Sequence, residues 1–280
     1  MKEMEMKNLI VQVDIPDSNN FNQNAMHGYF KDLYETSKKE FLNYAKRFHA
    51  DYLCIHTKAY DLEPSYERFQ IFENKFDHYD NILYVDCDVI PKIDSPDIFH
   101  EYGGKGFAAF SEGAAFYGNN KELKDEFGIK SELEAIIKRR ERKGYIKGEL
   151  QYLSKDWLEN IYFNNGVFLI DKKSLETLRK IDIKKYVKPF VLYDQSAMNK
   201  MIFENDIAFH HLSYKYNGMF HYLDDRMKSK VIASSYFVHF CGPMKNIYEE
   251  LTKEFGCDWF CKCLNEKRLY DMVHNSAVFI

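Results

Sequence analysis

The chain has 280 residues, 45% of them apolar, and a formal net charge of -4. That is enough chain and enough apolar content for a substantial core, which excludes general disorder. The slightly acidic balance excludes a general nucleic-acid binder, which needs a basic surface.

The opening residues, Met1 to Asn8, hold no apolar core of signal-peptide length, and no run of about 18 apolar residues follows anywhere. A cytoplasmic protein without a transmembrane segment is expected. Asn8 to Val13, N-L-I-V-Q-V, predicts a buried first strand with Asp14 at its carboxyl end. An Asn- and Asp-rich loop runs to about Met26. Apolar residues Phe30, Leu33, Tyr34, Phe41, Tyr44 and Ala45 then recur at helical spacing, which predicts a helix over Tyr29 to Phe48. Ala50 to His56 reads as a second strand and Tyr66 to Phe76 as a helix. Asn81 to Asp86, N-I-L-Y-V-D, reads as a third strand ending on acid, and Phe107 to Phe110 as a fourth. Alternating strands and helices imply an α/β domain with a largely parallel sheet, whose ligands sit at the carboxyl ends of strands.

Asn119 to Trp157 is highly charged and reads as mostly helical. It carries the basic run Lys138 to Lys143, for which a solvated helix face is the plainer reading and an acidic glycan or a membrane surface the sharper one. Ile161 to Ile170 reads as a strand interrupted by Asn164-Asn165-Gly166. Helices are expected over Ser174 to Ile181 and Tyr193 to Phe203, a late strand over Ala233 to Phe240, and a helical tail from about 245 anchored by Trp259 and Phe260. There is no internal repeat and no Pro/Gly-rich linker, so one domain over 1–280 is the simplest organisation. The six cysteines, Cys54, Cys87, Cys241, Cys257, Cys261 and Cys263, are expected as free thiols. The spacing of the last three is not a standard zinc pattern.

Four segments carry chemistry. In Y-D-N-I-L-Y-V-D-C-D-V-I-P, an apolar strand delivers Asp86 and Asp88 to one mouth. Hard divalent cations are often held by one or two carboxylates plus substrate phosphates, although a solvated turn would use the same residues. In F-V-H-F-C-G-P-M-K, His239 suits Mn²⁺ beside carboxylates, Gly242 permits close backbone approach, and Lys245 can place charge on a phosphate. A core histidine and a surface lysine are the bland alternatives. In Y-F-N-N-G-V-F-L-I-D, Asn164 either faces substrate hydroxyls or belongs to an edge bulge at Gly166. In Y-D-Q-S-A-M-N, taken alone, Asp194 reads best as a helix cap and Gln195 as a surface residue.

Taken together and in this order, the segments closely resemble glycosyltransferase family 8, the glycogenin-like and bacterial lipopolysaccharide galactosyl- and glucosyltransferase group. That family shows a strand ending in Asp-X-Asp, then Phe-Asn-(Ser/Ala)-Gly, Asp-Gln with Leu-Asn, and His-Phe-X-Gly-X-X-Lys. Here these stand at Asp86 to Asp88, Phe163 to Gly166, Asp194 to Asn199 and His239 to Lys245. Leu212 to Asn217 and Tyr66-Glu67-Arg68 are similar to two further family elements. The resemblance runs from about Asn8 to Tyr248. Asn165 departs from it where the family has a small residue, Met198 replaces Leu, Ser111-Glu112 stands where the family often has an Asp, and Asn246-Ile247 replaces Pro-Trp.

The resemblance implies a GT-A fold, a Rossmann-like single domain with a mixed central sheet flanked by helices. The charged 119–157 stretch would then be an insertion forming a lid or acceptor wall. It implies a retaining hexosyltransferase using a UDP-sugar donor and Mn²⁺, with Mg²⁺ as the substitute ion. Asp86, Asp88 and His239 would ligate the metal. Asp14, Arg68, Asp86, Gly242 and Lys245 would contact the donor nucleotide. Gln195, Asp194 and Asn164 would be the catalytic group, Gln195 as a stabiliser or weak nucleophile. The acceptor would be a hydroxyl of a glycan, glycolipid, glycoprotein or other molecule, with no nucleic-acid partner. An inverting GT-A transferase, a nucleotidyltransferase and a non-catalytic nucleotide-sugar-binding protein are the other readings. The nucleotidyltransferase lacks support from the first strand, which has no glycine-rich loop.

Overall fold

The computed structural model describes residues 6–15, 30–116, 119–127, 152–188, 193–219, 223, 225–262, 264 and 266–276. The Asn-rich loop to Met26, the basic run Lys138 to Lys143 and Cys263 lie outside the described residues. The chain divides into two compact units. One comprises Met1–Ile15, Ala45–Val85 and Asp97–Leu212; the other comprises Pro16–Tyr44, Asp86–Pro96 and Ser213–Ile280.

In chain order the strands are β1 (Asn8–Val13), β2 (Asp51–Ile55), β3 (Asn81–Val85), β4 (Val89–Pro91), β5 (Phe107–Ala109), β6 (Val167–Asp171), β7 (Phe209–His211), β8 (Gly218–Met219) and β9 (Phe237–His239). The first unit is built on a six-stranded sheet of order β2-β1-β3-β6-β5-β7. β2, β1 and β3 run parallel, β6 is antiparallel to both β3 and β5, and β5 is parallel to β7. The sheet is therefore mixed, with one reversed strand in an otherwise parallel set. Every residue of β3 is buried, as a strand covered on both faces requires. Its core joins Leu9, Val11, Ile82 and Tyr84 to Leu175 and Leu178 of the helix Lys172–Leu178 and to Met198, Met201 and Ile202 of the helix Tyr193–Glu204.

The second unit carries a three-stranded sheet of order β4-β9-β8. β4 is antiparallel to β9, and β8 is parallel to it. Phe41 and Tyr44, from the helix Lys31–Arg47, pack edge-on against Phe237 of β9 at 5.2 and 5.3 Å. Trp259 is fully buried and meets Phe240 at 5.9 Å, so it is the packing anchor the tail was expected to need. Among the described residues, no helix is long and apolar enough to cross a membrane.

Three local expectations change. The Tyr66 to Phe76 helix is two 3-10 pieces, Pro64–Phe72 and Asn74–Phe76, split by an extended Glu73. The strand expected from Ile161 begins only at Val167, because Asn165 and Gly166 form a turn rather than a bulge. The strand expected from Ala233 is confined to Phe237–His239, since Ala233 and Ser234 finish the helix Asp225–Ser234. In the last two cases a polar or small residue inside an apolar run marks the change of element.

Candidate active site

β3 hands the chain to a tight turn in which the Val89 amide donates to the Asp86 carbonyl at 3.2 Å. Such a turn puts alternate residues Asp86 and Asp88 on one side. β4 then pairs Val89 with His239 of β9, and the Phe240 amide donates to the Asp88 carbonyl at 2.9 Å. Backbone pairing in the second unit thus brings His239 beside the acidic pair. Ligand atoms of Asp86, Asp88 and His239 all lie within 4.8 Å of one another.

The chemistry of this trio fits a divalent cation. The His239 Nδ1–H donates to the buried Asn217 Oδ1 at 2.7 Å, which leaves a lone pair on Nε2. That Nε2 lies 3.2 Å from Asp88 Oδ1, an atom buried without a hydrogen-bond partner. A proton on Nε2 or a cation shared between the two atoms would hold them at that distance. Lys245 Nζ sits 3.1 Å from the other oxygen, Asp88 Oδ2, and donates to the Tyr34 hydroxyl at 2.9 Å. Burial alone would raise the Asp88 pKa, but the Lys245 ammonium and, after it, His239 override burial and hold the carboxyl well below its ordinary range. Burial alone would likewise lower Lys245, and the Asp88 and Tyr34 oxygens reverse that to a raised pKa. Gly242 adopts φ +59°, with open space where a Cβ would stand, so the turn before Lys245 is exposed backbone suited to a closely approaching ligand.

In the first unit a second polar cluster forms around Gln195. Its Oε1 accepts from Asn164 Nδ2 at 3.0 Å, and its Nε2 donates to Glu112 Oε2 at 3.0 Å. A carboxylate only accepts, so Glu112 fixes which way the Gln195 amide faces. Asp194 pairs with Arg68 Nε at 2.9 Å and accepts from Asn165 Nδ2 at 2.6 Å. It is buried, as is Gln195, so the surface reading of Gln195 does not hold. Arg68 also donates to the Asn165 carbonyl at 2.8 Å. Asn199 secures the whole group. Its Oδ1 accepts from the Phe163 amide at 2.8 Å, and its Nδ2 donates to the Phe163 and Gln195 carbonyls, each at 2.9 Å. Asp14 follows β1, where its amide donates to the Ile55 carbonyl at 2.9 Å.

The structure therefore gathers Asp86, Asp88, His239 and Lys245 in one unit, and Arg68, Asn164, Asp194 and Gln195 in the other. Sequence reading gave no role to Asn217, Tyr34 or Asn199. Asn217 and Asn199 were visible only as the closing residues of two recurrent segments, and Tyr34 as one apolar-face residue. Glu112 and Asn165 were visible only as departures.

The sequence profile of glycosyl transferase family 8 matches residues 2–246, most of the chain. The chain belongs to glycosyltransferase family 8. It is thus a glycosyltransferase, and its mixed sheet flanked by helices is the GT-A architecture of such enzymes. Among solved structures, the apo form of the bifunctional glycosyltransferase WbbM is similar at TM-score 0.52 and 14% identity, over 96% of this chain and 52% of that one. A glycosyltransferase involved in glycosylation of the major capsid of PBCV-1 gives TM-score 0.49 at 13% identity, over 86% of this chain and 97% of that one. Glycosyltransferase GlyE of Streptococcus pneumoniae TIGR4 gives 0.49 at 14% identity, over 98% of this chain and 64% of that one. The family 8 chain thus spans about half of WbbM and under two thirds of GlyE. At these identities the likeness concerns the fold alone. No curated protein sequence matches the chain.

Proposed function

We propose that this family 8 chain is a single GT-A catalytic module. It moves a hexose from a UDP-sugar to a hydroxyl of a glycan, glycolipid, glycoprotein or other acceptor, with retention of anomeric configuration and dependence on Mn²⁺. The observation that carries the reading is the Asp86, Asp88 and His239 trio, whose ligand atoms lie within 4.8 Å of one another.

When bound, a divalent cation there would offset the negative charge that grows on the departing diphosphate. Asp86, Asp88 and His239 would hold it. The chain's own groups do the rest. Lys245, already fully charged beside Asp88, turns its ammonium to a diphosphate oxygen and steadies the leaving group. Gly242 and the exposed turn around it let the donor approach the backbone. Asp14 and Arg68 contribute donor contacts, Arg68 held in place by the Asp194 carboxylate and the Asn165 carbonyl. Gln195 Oε1, held in place by Asn164 and Glu112, keeps a second lone pair for the oxocarbenium-like anomeric carbon. Asn164 and Asp194 bind sugar hydroxyls. Acceptor attack comes from the face the diphosphate leaves, which accounts for retention.

A panel of UDP-sugars incubated with the chain and Mn²⁺ tests this reading. One donor should release UDP and free sugar, and a chelator should stop the release. Intact turnover in chelator, or no turnover of any UDP-sugar, would overturn it. The anomer of a transferred product, read by NMR, separates retention from inversion.

A further inference from the structure

We propose a second metal site, for a thiophilic divalent cation such as Zn²⁺, formed by Asp14, Cys54 and His56 at the carboxyl ends of β1 and β2. It shares Asp14 with the proposed donor contacts and rests on no other residue of that reading.

The parallel register brings the three residues together. Gln12 of β1 pairs with Cys54 of β2 and Val13 with Ile55, so the next step aligns Asp14 with His56. Side chains two apart on a strand share a face. Cys54 and His56 therefore project to the same side, and Gln12 and Asp14 to the corresponding side of the neighbouring strand. The hydrogen bond from the Tyr52 hydroxyl to Gln12 Oε1, 2.7 Å, marks that shared face one pair earlier. The Asp14, Cys54 and His56 ligand atoms lie within 4.8 Å of one another. A four-coordinate zinc holds its ligand atoms roughly 3.5 Å apart, which modest side-chain rotations reach.

Two further features suit a metal. His56 Nδ1 lies 3.2 Å from the Asp14 carbonyl oxygen. A proton on Nδ1 donated to that carbonyl leaves Nε2 as the ligand, the arrangement in which metal-binding histidines are usually held. The site is also only partly covered: His56 is exposed, while Asp14 and Cys54 are half-buried. Three protein ligands would leave the fourth position to water, as in three-ligand zinc sites. The donor set separates this site from the one at Asp88. Thiolate, imidazole and a single carboxylate favour zinc or cobalt, whereas two carboxylates with one imidazole accept Mn²⁺. Binding expels the Cys54 thiol proton to solvent, leaving the thiolate on the metal.

Cobalt titration of the reduced full chain tests the site, because thiolate-to-cobalt charge transfer gives a near-ultraviolet band. The band should form in the wild type and in Asp88→Ala, and vanish when excess Zn²⁺ displaces the cobalt. It should be absent in Cys54→Ser, and His56→Ala should weaken cobalt affinity by at least about tenfold. Circular dichroism checks that each variant is folded. A band that persists in Cys54→Ser comes from another cysteine and overturns the proposal. So does a wild type without the band, a band lost in Asp88→Ala, or unchanged affinity in His56→Ala. Failure of UDP-sugar turnover would leave this result untouched.

Discussion

At the residue scale, the informative feature is how few of the polar side chains act alone. His239 would be an ordinary buried histidine without Asn217, which accepts a hydrogen bond from its Nδ1–H and turns Nε2 toward Asp88. Removing the partner of a ligating histidine typically costs 10–100-fold in metal affinity. In Asn217→Ala, the Mn²⁺ concentration needed for half-maximal UDP-sugar hydrolysis should therefore rise by about 10–100-fold, while turnover at saturating Mn²⁺ changes little. An unchanged Mn²⁺ requirement, measured by titrating the ion into the hydrolysis assay, would remove Asn217 from that role. Gln195 is held in the same manner between Asn164 and Glu112. The sequence pattern located His239 and Gln195 through the resemblance, but their orienting partners come from distant segments, and no local spacing announces them.

At the scale of elements, strand pairing places one candidate cluster and a helix presents the other. The β4–β9 ladder sets Asp88 against His239, and the helix Tyr193–Glu204 presents Asp194, Gln195 and Asn199 from one stretch. Asn199 acts as a surrogate strand, satisfying both the amide and the carbonyl of Phe163 where no β partner does so. Its loss strands buried backbone groups, each costing about 1–3 kcal/mol. Asn199→Ala should lower stability by about 2–4 kcal/mol in urea denaturation, and a variant as stable as wild type would contradict the role. The strands β1 and β3 and the helix Tyr193–Glu204 were legible from apolar runs and helical spacing nearly to the residue. Segments that break their own pattern were not. Asn165-Gly166 ends an apolar run as a turn, and Ala233-Ser234 belongs to the helix before β9 because its apolar spacing continues from Val231 and Ile232.

For the whole molecule, the α/β class and the family were legible because the four chemical segments keep their order along the chain. The reversed β6 was not, since a strand buried on both faces reads the same in either direction. The division into two units was equally hidden, because each is assembled from discontinuous stretches with no linker between them. Across these scales, we propose that Asp86, Asp88 and His239 hold a cation by which this glycosyltransferase grips a nucleotide diphosphate. Mn²⁺ binding and UDP binding should then be coupled, each tightening the other by the same factor. Electron paramagnetic resonance of free Mn²⁺ during titration reads this directly. The wild type should take up the ion, and more tightly with UDP present. Asp88→Asn should lose both the uptake and its response to UDP. An Asp88→Asn variant that binds Mn²⁺ as tightly as the wild type, with the same response to UDP, would contradict the account.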